Sequence, residues 1–311
     1  MEGFMKLQDN SGLVAAVGAY VIWGVLPVYW RLLRNVSAPE ILAYRILWSL
    51  VFMICLIFLL RRHREFIEEV KTIVSSPKKI FIVICGALLI SLNWLVYIWA
   101  VNEGHIIETS LGYYINPLVN VLLGVGVLSE RLNVWQNFAV LLAGAAVGYL
   151  TWNFGSLPWV ALALAGSFSL YGLCKKMVMI SPITGVTLET MLIAPIACAY
   201  LFYLETTCVH FFYISLTPTS IFLIGTGIIT PIPLLLFANG ANKLPFSILG
   251  VIQYITPTLT LLLGIFLYQE AFTSVQFISF SCIWLALLIF SLAKTSFFAA
   301  LGKLFAKVFI R

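Results

Sequence analysis

Charge is scarce in this sequence: only 10% of the 311 residues are Asp, Glu, Lys or Arg, against 62% hydrophobic. A water-soluble domain wets its surface with charge on about a quarter of its residues. So apolar a chain needs lipid as its main solvent. Asp9 is the single aspartate and lies in the N-terminal segment. No paired-Asp membrane protease or DxD-type metal-dependent transferase is therefore expected. HExxH, GxSxG and Walker A sequences are missing too, which removes the usual zinc, serine and P-loop chemistries. His63, His105 and His210 are scattered over loops on both faces, too far apart to hold one metal. Cys55, Cys85, Cys174, Cys198, Cys208 and Cys282 form no CxxC pair and mostly sit inside apolar runs. They read as small packing residues. Neither an enzyme activity nor a cofactor is expected.

What is there is a succession of apolar runs. A membrane-crossing helix takes about 20 residues. Ten spans are expected near 12–31, 41–60, 80–101, 107–128, 134–151, 157–174, 184–204, 218–238, 246–268 and 274–293. The first run is long, is followed by others and shows no small-residue cleavage site, so it reads as a span, not a signal peptide.

Orientation follows from the basic residues. All 18 Lys and Arg except Arg31, Arg34 and Arg45 fall in loops or tails of one parity, among them Lys175 and Lys176. By the positive-inside rule both termini are expected in the cytoplasm. The formal charge of +6 is thus a topology signal, and no nucleic-acid partner is expected. The segment from Arg61 to Lys79 reads as a short amphipathic surface helix. Residues 295–311, with Lys303, Lys307 and Arg311 four apart, read as an amphipathic tail on the inner leaflet.

An internal repeat appears at an offset of 140 residues. Tyr114, Ile115, Pro117, Leu122, Leu123, Gly124, Glu130 and Gln136 match Tyr254, Ile255, Pro257, Leu262, Leu263, Gly264, Glu270 and Gln276. Asn102 and Asn242 share the offset, and Trp23-Gly24 is loosely echoed by Tyr171-Gly172. Five spans per copy is an odd number, so the second copy enters the membrane upside down. Residues 1–154 and 155–294 are the expected units. Such inverted pairs are a common plan for secondary transporters.

At this point the chain resembles the drug/metabolite transporter superfamily, and within it the EamA family and its RarD-type branch. The resemblance rests on Trp23-Gly24-x-x-Pro27, Glu40-x-x-x-x-Arg45, Asn93-Trp94 and the twin segments ending in Glu130 and Glu270. It implies an all-α, ten-helix inverted-repeat fold in the inner membrane that moves small organic molecules. RarD-like proteins carry a chloramphenicol-sensitivity name, which does not establish a substrate. The aromatic loop from His210 to Tyr213 has no counterpart in that pattern.

Candidate substrate contacts come from backbone chemistry first. Pro117 and Pro257 fall mid-span, lack the N–H and crowd the carbonyls of Tyr113 and Gln253. Freed carbonyls at membrane depth require protein or a watery cavity beside them. Tyr113, Tyr114, Asn116 and Asn120, with Gln253, Tyr254, Thr256 and Thr260, are polar enough to line one; a kink that only improves packing is the alternative. Arg45 and Glu189 are charges inside spans, costly unless they face the interior or snorkel. Arg45 fits either fate; Glu189 fits a substrate or proton contact. Tyr20, Trp23, Tyr44, Trp48, Trp94, Tyr97 and Tyr171 supply aromatic surface for a flat or cationic solute or for the interfacial belt. Gly144-x-x-x-Gly148 permits close helix approach, within a monomer or a homodimer. The expected partners are a small organic solute, lipid, and protons or a counter-substrate. An intramembrane enzyme, a channel and a non-transporting scaffold are the rival classes.

Overall fold

Lipid cannot hydrogen-bond the backbone, so a chain of this composition must close its amides within helices. The computed structural model describes residues 10–33, 35–102, 106–155, 159–206, 217–267, 273–293 and 295, and among them it is wholly helical. The helices are α1 (Asn10–Trp30), continued by a 3-10 turn (Arg31–Leu33), α2 (Ala38–Leu59), α3 (His63–Val74), α4 (Pro77–Asn102), α5 (Ile106–Gly126), α6 (Val134–Phe154) and α7 (Trp159–Val178). They continue with α8 (Pro182–Thr206), α9 (Pro218–Ile229), α10 (Pro231–Lys243), α11 (Phe246–Ile252), α12 (Ile255–Phe266) and α13 (Ser274–Leu292).

Eight helical stretches are long and apolar enough to cross a membrane, with α9–α10 and α11–α12 each contributing one. The other two expected spans correspond to α5, whose apolar stretch Leu111–Gly126 is shorter, and α7, diluted by Gly, Ser and Lys. Large side chains such as Phe58, Leu141, Trp152, Phe202 and Phe266 point outward. On a soluble protein that surface would aggregate; here it meets acyl chains. The protein is an integral membrane protein.

The expected surface helix between the second and third spans is α3. Glu69 ties it to the start of α8, accepting from Ser181 N at 3.0 Å and Ser181 Oγ at 2.6 Å. A carboxylate there also suits the helix dipole. Residues 296–311 of the tail, the 210–213 loop and Glu270 lie outside the described residues.

Divide the chain after Gly155, which ends α6 in the left-handed conformation as a helix-terminating glycine does. The main helix packing then runs across the division. α1 lies on α10 and α12, α2 on α8 and α9, α4 on α7 and α8, α5 on α7 and α11, and α6 on α13. Neither portion buries its own core. The principal cluster joins Tyr20 of α1, Met53 of α2 and Ile90 of α4 to Tyr171, Phe237, Phe246 and Leu249 of the second portion.

Several matched residues of the sequence repeat are caps. Asn133 and Gln136 form a capping box on α6, and Thr273 and Gln276 form one on α13; each satisfies two otherwise orphaned amides. Glu130 reaches across to α11. Its carboxylate accepts from Phe246 N at 2.5 Å, from Ser247 N at 2.9 Å and from the Ser247 hydroxyl.

The two mid-span prolines behave differently. Before Pro257 the helix tightens at Gln253–Tyr254, where the Tyr254 amide bonds Val251 O three residues back, whereas α5 passes through Pro117 unchanged. Pro117 is instead where α11 comes close: a Cβ on Gly250 would sit 2.9 Å from the Pro117 carbonyl oxygen and 2.8 Å from Asn120 Cβ. At Gly144 and Gly148 an added Cβ would meet nothing within 4 Å, so this GxxxG is not used between helices of the chain. Gly250→Ala is expected to lower stability by about 1–3 kcal/mol through overpacking, while Gly144→Ala leaves it unchanged within about 0.5 kcal/mol. Thermal unfolding of the purified protein in detergent measures both.

Candidate functional site

Polar side chains at membrane depth collect in two places. The first surrounds Arg45, seven residues after Ala38 and so about 10 Å along α2 from its start. Its guanidinium carbon lies 4.9 Å from the Trp30 ring centre and 4.2 Å from that of Trp94. Arg45 Nε donates to Thr230 Oγ1 at 2.8 Å. Tyr97 and Tyr113 lie within electrostatic reach of the guanidinium and share a hydroxyl hydrogen bond, their rings 6.2 Å apart.

Thr230 explains which way Arg45 points. It stands between α9 and α10, twelve residues into the span Pro218–Lys243, roughly 18 Å from that span's beginning. Both spans begin at the same end of the bundle, so Arg45 reaches toward mid-membrane and does not snorkel to the near interface. Pro231 and Pro233 make the break at Thr230. Lacking N–H groups, they leave the carbonyls of Gly227 and Ile229 without their helical partners. Thr230 itself keeps right-handed helical dihedrals, with its N–H on Thr226 O, so the span is loosened at the prolines and not unwound.

A charge near the bilayer centre costs about 2.5–3.5 kcal/mol on insertion scales. A desolvated cation–π contact returns up to about 2 kcal/mol. The two indoles and Thr230 can therefore hold the guanidinium in place while leaving its charge unneutralised. Among the described residues no carboxylate pairs with it.

The second cluster lies toward the other end. Glu189 follows Pro182 by seven residues, and its Oε1 is 2.6 Å from Lys175 Nζ, both side chains being less than a tenth exposed. Lys175 was expected in an aqueous loop beside Lys176. Both are instead in the last turn of α7, which continues past the expected end of the sixth span. The apolar contacts of Val178 with Ile73 and Val83 carry the helix on. Tyr171 Oη donates to Glu189 Oε2 at 3.1 Å, so Glu189 has two partners and carries no lone charge. Small residues leave room for the pair: an added Cβ would lie 3.0 Å from Lys175 Nζ at Gly185 and 3.5 Å from Glu189 Oε1 at Gly86. Lys176 donates to the carbonyl oxygens of Ala241, at 3.1 Å, and Leu244, closing the C-terminal end of α10 as basic side chains do. The crevice beside Lys175, Glu189 and Asn242 has room for about one water molecule.

Between the clusters lies an aromatic layer of Tyr20, Trp23, Phe168, Tyr171 and Phe237, with ring centres 5.3–6.2 Å apart. Trp94 packs against the same core. The remaining sequence candidates hydrogen-bond helix to helix. Asn116 donates to Ala165 O at 2.8 Å, Asn120 to Gln253 Oε1 at 2.7 Å, and Thr256 to Tyr20 O at 2.8 Å. Tyr254 donates to Tyr114 O at 3.3 Å, and both rings pack in a separate cluster with Phe280. The structure brings Arg45, Trp94, Tyr97 and Tyr113 together; of the other aromatic candidates Tyr171 touches Glu189, while Tyr20 and Trp23 lie in the aromatic layer between the clusters. Sequence reasoning missed Trp30, Thr230 and Lys175. The Thr-Pro-Ile-Pro run at 230–233 was the available signal for Thr230.

Removing one member of a buried ion pair leaves the other uncompensated, at about 3–5 kcal/mol, whereas replacing both with apolar residues is often neutral. Lys175→Met is therefore expected to lower the thermal midpoint more than the double change Lys175→Met with Glu189→Leu. Unfolding of the wild type, both single variants and the double variant gives the coupling directly.

Comparison with known proteins agrees with this architecture. Residues 10–152 match the EamA-like transporter family. The uncharacterized transporter YojE of Bacillus subtilis (strain 168) is 45% identical over 92% of this chain and 95% of its own length. Protein RarD of Escherichia coli (strain K12) is 42% identical over 91% and 94% respectively. A solved crystal structure with 18% identity superposes with a TM-score of 0.67, covering 92% of this chain and 99% of the other, and shows the shared fold. Family and fold together identify a multi-pass inner-membrane transporter of the drug/metabolite type, and the chain belongs to the EamA-like transporter family, in the branch that holds the RarD proteins.

Proposed function

We propose that this chain is a secondary active transporter that carries a small organic solute across the cytoplasmic membrane by alternating access. In this reading ten spans form two five-helix units, 1–154 and 155–294, inverted against each other, with both termini in the cytoplasm. The observation that carries it is the reciprocal packing across the division at residue 155. The first helix of each unit lies on the third and fourth of the other: α1 on α10 and α12, α7 on α4 and α5. The second helices pair as α2 with α8, and the fifth as α6 with α13. A pseudo-twofold arrangement has this reciprocity, and exchanging the conformations of its halves turns an inward-open cavity into an outward-open one.

The repeat supports the same reading, since the capping boxes of α6 and α13 fall at the 140-residue offset. Two spans whose hydrogen-bond ladders are loosened by proline, at Thr230 and at Gln253–Tyr254, lie next to polar side chains and supply freed carbonyls beside a solute path. The Lys175–Glu189 pair is the candidate coupling element for protons or a counter-substrate, because a single proton exchange would change its net charge.

Two measurements test this. Accessibility tags at the termini and beside Glu130 are expected to report from the cytoplasm, and a tag beside Glu270 from the opposite side. Both glutamates reporting from one compartment would remove the basis for alternating access. In proteoliposomes, saturable counterflow is expected, and Glu189→Gln is expected to flatten its pH dependence. An unchanged pH profile ends the coupling role while leaving the transporter reading intact.

A further inference from the structure

We propose that the Arg45 guanidinium binds the carboxylate of the transported solute, which makes that solute a small, singly charged organic anion with a flat apolar body. The inference rests on the transporter reading above and names its substrate class.

Arginine presents five N–H donors in a planar fork that matches a carboxylate. At Arg45 the Nε–H is used by Thr230. Among the described residues no side chain accepts from the terminal nitrogens, and no carboxylate lies within ion-pair distance. Arg45 is half-buried, and the fully buried cation of the interior, Lys175, has its own glutamate at 2.6 Å. One is neutralised within the protein, and the other is held ready by groups that carry no opposing charge.

Those groups also select shape. Trp30 and Trp94 lie against the guanidinium, and stacking on indoles holds the cation while keeping its fork directed at a ligand. The Tyr97 and Tyr113 rings border the guanidinium, and Trp94 joins it to the core that holds Trp23, Phe168 and Phe237. A planar hydrocarbon body attached to the carboxylate would meet ring faces along that path. One unpaired positive charge matches one negative charge. A doubly charged phosphate monoester would be left with an uncompensated charge in a low-dielectric site. Because Thr230 stands just before Pro231, between α9 and α10, a solute engaging Arg45 also bears on the proline-loosened span.

The test uses the full-length protein in proteoliposomes with a bacterial small-metabolite extract as the probe, read by mass spectrometry. Solutes accumulated by the wild type over empty liposomes are expected to carry a single carboxylate. Their accumulation is expected to fall at least tenfold in Arg45→Gln of wild-type monodispersity in detergent. Arg45→Lys, which keeps the charge and guards against a folding defect, is expected to retain the preference for carboxylates at a several-fold lower rate. Accumulated solutes that are mainly neutral, cationic or phosphorylated overturn the proposal. So does undiminished carboxylate uptake by folded Arg45→Gln. If the wild type accumulates no solute at all, the transporter reading fails first and this inference with it.

Discussion

A helix interrupted inside a bilayer must have its loose backbone groups covered by protein, because acyl chains offer no hydrogen bond. That constraint organises this molecule. Its second portion interrupts the hydrogen-bond ladders of two spans, at Pro231 and Pro233 between α9 and α10 and at Pro257 after α11, and helices of the first portion pack on both. α1 lies on α10 and α12, α2 on α9, and α5 on α11. Asn120 of α5 bonds Gln253 at the second interruption, and Thr256 just beyond it bonds the Tyr20 carbonyl of α1. At the first interruption, Arg45 of α2 bonds Thr230. The two portions are thus obligatory partners, since each supplies the surroundings in which the other's helices can exist at membrane depth.

The same constraint decides where charge is allowed. Both interior charged clusters sit against second-portion helices, yet they are stabilised differently. The Lys175–Glu189 pair cancels its charge locally and is closed in by small residues on α4 and α8. Arg45 is flanked by ring faces and one hydroxyl, which leaves its charge unopposed among the described residues. Glu130 is a third case, a carboxylate that caps the seven-residue α11. It joins the α5–α6 connection to the other portion and has a fixed structural task.

Much of this was legible in the sequence. Spans are conspicuous because lipid demands about 20 apolar residues in a row. The repeat showed itself through residues whose roles are local: Gln136 and Gln276 cap their own helices, and Pro257 adjoins a real interruption. What stayed hidden depends on partners distant in the chain. Pro117 looked equivalent to Pro257, but its helix continues and its carbonyl lies against Gly250, a contact no local pattern announces. Lys175 looked like a topology signal, because a Lys-Lys pair ending an apolar run usually is one; its partner comes from the next helix. Arg45 was visible as a charge within a span, but its inward direction depends on Thr230, 185 residues away.

Arg45 and Glu189 occupy the same register, each seven residues into the second helix of its unit, yet they bear opposite charges in unlike surroundings. Perfectly matched halves would make the two end states of an alternating-access cycle equal in energy. In the alternating-access cycle proposed above, such a mismatch would tilt the balance, and a tilt of about 1.4 kcal/mol already gives a tenfold preference for one resting state. The carrier would then wait for cargo chiefly on one side of the membrane, with part of its vectorial bias written into this pair of non-identical residues.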